Sequence, residues 1–152
     1  MTAVAERTEA SIRIEAEPSA ILDVIADLPA YPEWSQGIKT VEVLESSDGR
    51  PIRARFTLDA GIIKDEYELA YTWNGLESVT WTLVSAGVLS AMDGEYELTT
   101  APDGSTHVSY LLTVDLRIPM LGMMKRKAEQ VIVDTALKGL KSRVETHGSR
   151  PR

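Results

Sequence analysis

Polar and apolar residues alternate over residues 9–17 of the chain. Ile12, Ile14 and Ala16 fall on one face of this segment, and charged residues fall on the other. Alternation with a period of two is typical of a strand with one buried face. The pattern therefore predicts that the folded part of the chain begins with a strand.

The spacing of apolar residues changes after Pro18, which suits the first turn of a helix because that position needs no backbone N–H. Apolar residues then recur at helical spacing as far as Leu28. Pro29 and Pro32 end this helix and leave room only for a short helical turn over residues 31–34. We expect two short helices after the first strand.

Six strand-like runs follow between residues 38 and 118, separated by residues that favour tight turns. The runs cover residues 38–44, 52–59, 65–73, 78–84, 89–99 and 106–118. Because the connections are short, we expect antiparallel neighbours, and Asn74-Gly75 is the strongest hairpin signal. Each run has one apolar face, so one side of the predicted sheet is buried and the other faces water.

The residues after Pro119 predict one long helix, from about residue 120 to 146. Its apolar stripe comprises Leu121, Met124, Ala128, Val131, Thr135, Leu137, Leu140 and Val144. This helix is long enough to cover the dry face of the sheet, which predicts the α+β class: a curved antiparallel sheet wrapped around a long C-terminal helix. We expect a single domain over residues 1–152, with an ordered core at about 8–146 and tails at 1–7 and 147–152.

Composition and charge exclude several functions. The 16 Lys and Arg residues against 23 Asp and Glu give a net charge of −7, which excludes general electrostatic binding of nucleic acid. There is no cysteine, so disulfides and thiol chemistry are excluded, and the two histidines, His107 and His147, are placed too far out to predict a metal site. We expect no cofactor. With no signal peptide and no run of about 20 apolar residues, the expected location is the cytoplasm.

Residues 26–34, with the sequence ADLPAYPEW, resemble the D-L-x-x-Y-P-x-W signature of the START-like (SRPBCC) superfamily. The resemblance is to its bacterial branch of polyketide cyclase/dehydrase and coenzyme-Q-binding proteins. Residues 93–96, 104–108 and 136–141 also lie where that family has counterparts, so the resemblance covers about residues 8–145. It implies a helix-grip fold, with a cavity between the last helix and the concave sheet that holds lipids, quinones, sterols or polyketides.

The apolar face of the predicted sheet is also typical of a binding site in its own right. A long helix over a curved sheet leaves space between them, and an aromatic lining suits a ligand pocket of about 300 to 1,000 Å³. The alternative is that the rings interdigitate as an ordinary core. The residues predicted to contact a ligand are Phe56, Leu58, Tyr67, Leu69, Tyr71, Trp81, Leu83, Tyr96, Leu98, Tyr110, Leu112, Met124, Val131 and Thr135.

Three functions remain open at this stage. The first is binding or carrying of a hydrophobic small molecule, such as a lipid, quinone or polyketide-like compound, without catalysis. The second is a polyketide cyclase, aromatase or dehydrase whose candidate catalytic residues are Tyr67, Tyr71, Tyr96 and Tyr110. A tyrosine is a poor base near neutral pH unless a charge lowers its pKa of about 10, and no such charge is predicted to face these residues. The third is a regulatory or toxin-like protein that acts through a protein partner.

The start of the last helix combines flexible apolar residues with successive cations. This pattern predicts either a pocket mouth that touches an anionic membrane or an ordinary first helical turn. Ile62 and Ile63 would form the facing lip. The residues of this predicted mouth on the helix side are Met120, Met123, Lys125, Arg126 and Lys127.

Overall fold

The computed structural model of the chain describes residues 7–35, 37–59, 61, 64–117 and 122–148, so most of the predicted tails lies outside it. The secondary structure of these residues begins with a strand and ends with a long helix, as the sequence predicts. The first elements in chain order are β1 (Thr8–Ile14), α1 (Pro18–Ala26), a 3₁₀ turn (Leu28–Ala30) and α2 (Tyr31–Trp34). Six strands follow: β2 (Ile38–Ser47), β3 (Arg50–Asp59), β4 (Lys64–Asn74), β5 (Ser78–Ala86), β6 (Leu89–Thr100) and β7 (Thr106–Leu116). The last elements are α3 (Gly122–Arg143) and a π-helical turn (Val144–Gly148).

The strands form one antiparallel sheet of seven strands in the order β1-β7-β6-β5-β4-β3-β2. Consecutive strands from β2 to β7 are neighbours because short turns join them, whereas β1 pairs with β7 at the far edge. The predicted hairpin at Asn74-Gly75 joins β4 to β5, and Gly75 has the positive φ of 56° that this turn requires. The predicted α+β fold class, a helix-grip fold, is confirmed.

The helices lie against the sheet and against one another. Helix α1 buries Ile21, Leu22 and Ile25, while α3 contacts β1 and β7. Helices α2 and α3 approach closely at Gly139, where a Cβ atom would lie 2.5 Å from the carbonyl oxygen of Trp34. Gly139 therefore allows the two helices to meet.

The face that α3 turns to the sheet differs from the predicted stripe. Met124 and Val131 are 48% and 50% exposed, so their predicted place in the core is wrong. The buried positions within α3 are Ala128, Glu129, Val133, Ala136, Leu137 and Leu140. At 3.6 residues per turn these positions share one face. That face includes the acidic Glu129, which the pattern of apolar residues does not include.

Asp65 holds the loop between β5 and β6 in place. Its carboxylate accepts hydrogen bonds from the backbone N–H groups of Glu66, Gly87, Val88 and Leu89, at 2.8 to 3.1 Å. Burial alone would raise the pKa of Asp65, but these donors outweigh it and the pKa lies below its ordinary value. The charged carboxylate is thus the form that the folded state stabilises.

Because its pKa is lowered on folding, Asp65 stabilises the protein fully above its unfolded pKa of about 3.9, and this contribution is lost as the pH falls through the folded value. We expect Asp65→Asn to lower the free energy of unfolding by about 1 to 3 kcal/mol at pH 7, because the amide offers one acceptor atom to four donors. Urea denaturation from pH 7 to pH 2 measures this difference, which should shrink below about pH 4. Asp48→Asn, in the exposed β2–β3 turn, is the control. A difference that stays constant down to pH 2 contradicts the prediction.

Candidate functional site

A cavity lies between the concave face of the sheet and α3. Eight residues predicted to contact a ligand line it: Phe56, Leu58, Tyr67, Leu69, Tyr71, Trp81, Tyr96 and Tyr110. All eight are buried and lie on β3, β4, β5, β6 and β7. The alternation along these strands therefore places their aromatic side chains in one chamber.

Six other predicted residues do not line this cavity. Leu98 and Leu112 are buried on the correct face but pack elsewhere in the core, and Leu83 and Thr135 are half-buried. Met124 and Val131 are exposed because they lie on the outer side of α3. The side of the sheet on which a residue lies is thus not enough to predict whether it lines the cavity, because the cavity occupies only part of the covered sheet.

The lining also includes residues that the sequence analysis did not assign to the site. They are Tyr31, Ser35, Ile38, Met92, Ile132 and Ala136. Ile132 and Ala136 are four residues apart on α3, so they lie on the same face of the helix. That face is the one turned to the sheet. Ser35, Ile38 and Ile132 are only half-buried, so they mark the mouth of the cavity.

The cavity has a volume of about 80 Å³ available to water-sized molecules, so the expected 300 to 1,000 Å³ is wrong. The reason is that the aromatic rings contact one another. The ring centroids of Tyr96 and Tyr110 are 4.6 Å apart, and those of Phe56 and Tyr67 are 5.3 Å apart and stacked. The rings therefore pack as a core and also leave a small chamber, which combines the two alternatives drawn from the sequence.

The hydroxyls of the five tyrosines in this chamber differ in their hydrogen bonding. The Tyr31 hydroxyl donates a hydrogen bond to the carbonyl oxygen of Ile25, at 2.5 Å. Within the described part of the chain, the hydroxyls of the other four lining tyrosines have no hydrogen-bond partner: Tyr67, Tyr71, Tyr96 and Tyr110. None of these four oxygens is fully buried, since the fully buried side-chain N or O atom that lacks a partner in the described part of the chain is Nε1 of Trp34. These hydroxyls are therefore ready to bind polar atoms that enter the cavity.

Burial raises the pKa of every tyrosine in the lining. The pKa of Tyr71 is raised first by burial and then by its neighbours Tyr67, Tyr110 and Tyr96, which line the same cavity. Tyr31, Tyr67, Tyr96 and Tyr110 also have a pKa well above the ordinary value, chiefly because of burial. At neutral pH all five hydroxyls are uncharged, so they donate or accept hydrogen bonds but do not act as bases. None of the described residues that line the cavity is charged.

The residues at the start of α3 differ in how far they are exposed. Lys125 is drawn into the protein by ion pairs with Glu129 at 2.5 Å and Asp115 at 3.8 Å, so it is not a free surface cation. Met123 is 82% exposed, and Arg126 and Lys127 are also exposed. None of these four helix residues lines the cavity, and Ile62, Ile63 and Met120 lie outside the described residues.

The described residues contain neither a metal site nor a membrane-spanning helix. No three side chains of the kinds that ligate metals come together there, and His107 is exposed. Over the same residues, no helix is long and apolar enough to cross a membrane. The tyrosine-lined cavity is therefore the candidate site.

A seven-stranded antiparallel sheet wrapped around a C-terminal helix defines the START-like helix-grip class. The sequence profile of one family, described as polyketide cyclase / dehydrase and lipid transport, matches residues 14–141. The chain belongs to this family, and the resemblance found at residues 26–34 is confirmed. A search of curated proteins finds no match.

Solved structures show the same fold. A START superfamily protein from Mycobacterium smegmatis has a TM-score of 0.84 at 21% identity, covering 92% of this chain and 97% of that one. A Thermus thermophilus protein has a TM-score of 0.79 at 23% identity, covering 95% and 100%. The ZhuI aromatase/cyclase from a Streptomyces species has a TM-score of 0.77 at 15% identity, covering 96% and 99%. At these identities the similarity concerns the fold alone.

Proposed function

We propose that this protein binds and carries a small hydrophobic molecule with hydrogen-bond acceptor atoms, and that it makes or breaks no bonds in it. The ligand would be lipid-, quinone- or polyketide-like and would place its polar end in the cavity under α3. One observation carries the proposal: the hydroxyls of Tyr67, Tyr71, Tyr96 and Tyr110 line a mostly apolar chamber and have no hydrogen-bond partner within the described residues. The polar atoms of a ligand can reach these hydroxyls, because none of them is a fully buried atom.

The energetics of the chamber favour this kind of ligand. Apolar burial contributes roughly 25 cal/mol per Å², so a ligand that buries about 200 Å² gains about 5 kcal/mol. Each hydrogen bond to a tyrosine adds about 0.5 to 1.5 kcal/mol and fixes the orientation of the ligand. A charged ligand would lose its hydration with no opposite charge among the described lining residues. The cavity therefore favours uncharged compounds.

A polyketide cyclase is the second candidate, and membership of the polyketide cyclase / dehydrase family favours it. An uncharged tyrosine could donate a hydrogen bond to an oxygen atom that becomes an enolate. The reaction also needs a base to remove a proton, and the described lining residues offer none. Carrying is therefore the better supported function. Action through a protein partner and a cytoplasmic location stay predictions.

Native mass spectrometry of the purified protein, followed by solvent extraction, tests the proposal. We expect one lipophilic molecule per chain. Tyr110→Phe and Tyr96→Phe should each weaken its binding by about two- to tenfold, the equivalent of one lost hydrogen bond, without loss of folding. Tyr31→Phe is the matched control, because its hydroxyl already donates to Ile25 and its loss should lower stability instead.

The same variants separate the alternatives. A cyclase would lose turnover in one Tyr→Phe variant while binding persists. A partner-dependent regulator would be empty in the mass spectrum and would capture a defined protein. An empty protein whose Tyr96→Phe and Tyr110→Phe variants behave as wild type would refute ligand binding in this cavity.

We propose in addition that the start of α3 touches anionic membranes transiently. Met123 is 82% exposed beside the exposed cations Arg126 and Lys127, on a chain of net charge −7. A cation near such a surface contributes about 1 kcal/mol. We expect salt-sensitive co-sedimentation with vesicles of phosphatidylglycerol and phosphatidylcholine, reduced at least fivefold in the Arg126→Glu, Lys127→Glu double variant. Co-sedimentation that is unchanged in this variant would remove the proposal; Lys138→Glu, further along the helix, is the control.

A further inference from the structure

Gly94 lies within β6, where its backbone has no need of glycine. It is not among the described glycines with positive φ, which are Gly37, Gly49, Gly61, Gly75 and Gly104. Glycine inside a strand costs about 0.5 to 1 kcal/mol relative to alanine and often marks a place where another group approaches closely. The presence of glycine here therefore calls for a spatial explanation.

The group that approaches Gly94 is the indole of Trp81. The two residues are directly opposite each other on β5 and β6. A Cβ atom on Gly94 would lie 2.4 Å from Cζ2 of Trp81, 2.6 Å from Cε2 and 2.9 Å from Nε1. The indole is therefore seated on the bare backbone of β6, and any side chain at position 94 has to displace it.

Three tyrosines surround this indole on the cavity side. Its ring centroid lies 5.4 Å from that of Tyr96, 5.6 Å from Tyr110 and 5.8 Å from Tyr71. All four rings line the cavity. Because the sheet lies behind the indole and these rings flank it, an indole that is displaced from Gly94 moves into the open chamber.

We propose that Gly94 and Trp81 together determine the size of the ligand. This inference rests on the proposed function and adds a size limit to it. Gly94 allows the indole to lie against the backbone of β6 and keeps the chamber open, while the indole limits the chamber to about 80 Å³. An engineered cavity of about 150 Å³ holds benzene, so the chamber is smaller than one aromatic ring requires. The ligand class is therefore a small, uncharged molecule that places its hydrogen-bond acceptor in the chamber and extends by no more than about one ring toward the mouth at Ser35, Ile38 and Ile132.

Three ketones of increasing size test the limit: acetophenone, acetonaphthone and acetylanthracene, with one, two and three fused rings. Binding is followed by isothermal titration calorimetry. We expect wild type to bind acetophenone at least tenfold more tightly than acetylanthracene. In Gly94→Ala, acetophenone binding should weaken at least tenfold. In Trp81→Phe the preference should shift toward acetonaphthone, and the Gly94→Ala, Trp81→Phe double variant should regain acetophenone binding.

Gly122→Ala is the matched control, because a Cβ atom there meets nothing within 4 Å. A purely structural role, in which the indole only covers a glycine in the sheet, predicts lower stability in both variants with the same preference among the ketones. That result would overturn the inference. If Gly94→Ala does not fold, Trp81→Phe still decides the question.

The experiments distinguish failure of the proposed function from failure of the inference about ligand size. If wild type binds none of the ketones and yields no lipophile on extraction, ligand binding fails. A crystal structure of Gly94→Ala then decides the inference alone: an indole moved into the chamber supports the control of cavity size, and an unmoved indole overturns it.

Discussion

Replacing Glu129 by alanine is expected to lower the free energy of unfolding by about 3 kcal/mol. Glu129 is only 3% exposed, although it is charged. Its carboxylate accepts hydrogen bonds from the Thr8 hydroxyl at 2.7 Å, the backbone N–H of Val114 at 2.8 Å and the Lys125 ammonium at 2.5 Å. Three groups on three elements lose Glu129 as a partner at once.

The loss of stability follows from the position at which β1 begins. Thr8 is the first residue of β1 and pairs with Leu112, so no strand residue among those that the structure describes pairs with Val114 on that edge. Glu129 supplies the missing acceptor from α3. Alanine would leave a buried N–H unpaired, which costs about 1 to 3 kcal/mol by itself, and would separate Lys125 from its nearest partner.

Chemical denaturation measures the effect, with Glu33→Ala as the control. Glu33 forms an ion pair with Arg143 at 2.8 Å, but its side chain is 63% exposed, so its loss should cost less than about 1 kcal/mol. Because Ile132 and Ala136 of the cavity lie one and two turns after Glu129, we also expect faster amide hydrogen exchange along α3 in Glu129→Ala. Equal losses in the two variants would contradict the role of Glu129.

Filling the cavity from α3 is expected to abolish ligand binding while the fold persists. Ala136 is 8% exposed and lines the chamber, so the side chain of Ala136→Leu would occupy the space of the ligand. We expect affinity for the extracted lipophile to fall at least 100-fold. The free energy of unfolding should fall by no more than about 1 to 3 kcal/mol, the usual cost of added methylene groups in a packed core.

Thr135→Leu is the matched control for this variant. Thr135 is adjacent in the chain, half-buried and not part of the lining, so the same final residue should leave affinity within about twofold of wild type. Titration of the ligand and urea denaturation are measured on both. Unchanged affinity in Ala136→Leu would show that the ligand binds elsewhere.

The two α3 residues in these predictions show why sequence patterns found only part of the site. Glu129 reads as a surface residue, because charged residues are rarely buried without partners. Two of its three partners, Thr8 and Val114, are distant in the chain. Ala136 lies in residues 136–141, which resemble a motif of the family. An alanine in a helix does not by itself indicate that the position lines a cavity.

The chain by itself determined the order of elements, the antiparallel sheet, the family and the aromatic residues of the β3 to β7 lining. It did so because the alternation along a strand and the residues of a tight turn are local properties that neighbours in the chain express. The tertiary structure alone decided the face of α3, the inclusion of Tyr31 and the volume of the cavity. Those features depend on distances between groups far apart in sequence, such as the ring contacts of Trp81 with Tyr110 and its seat on Gly94.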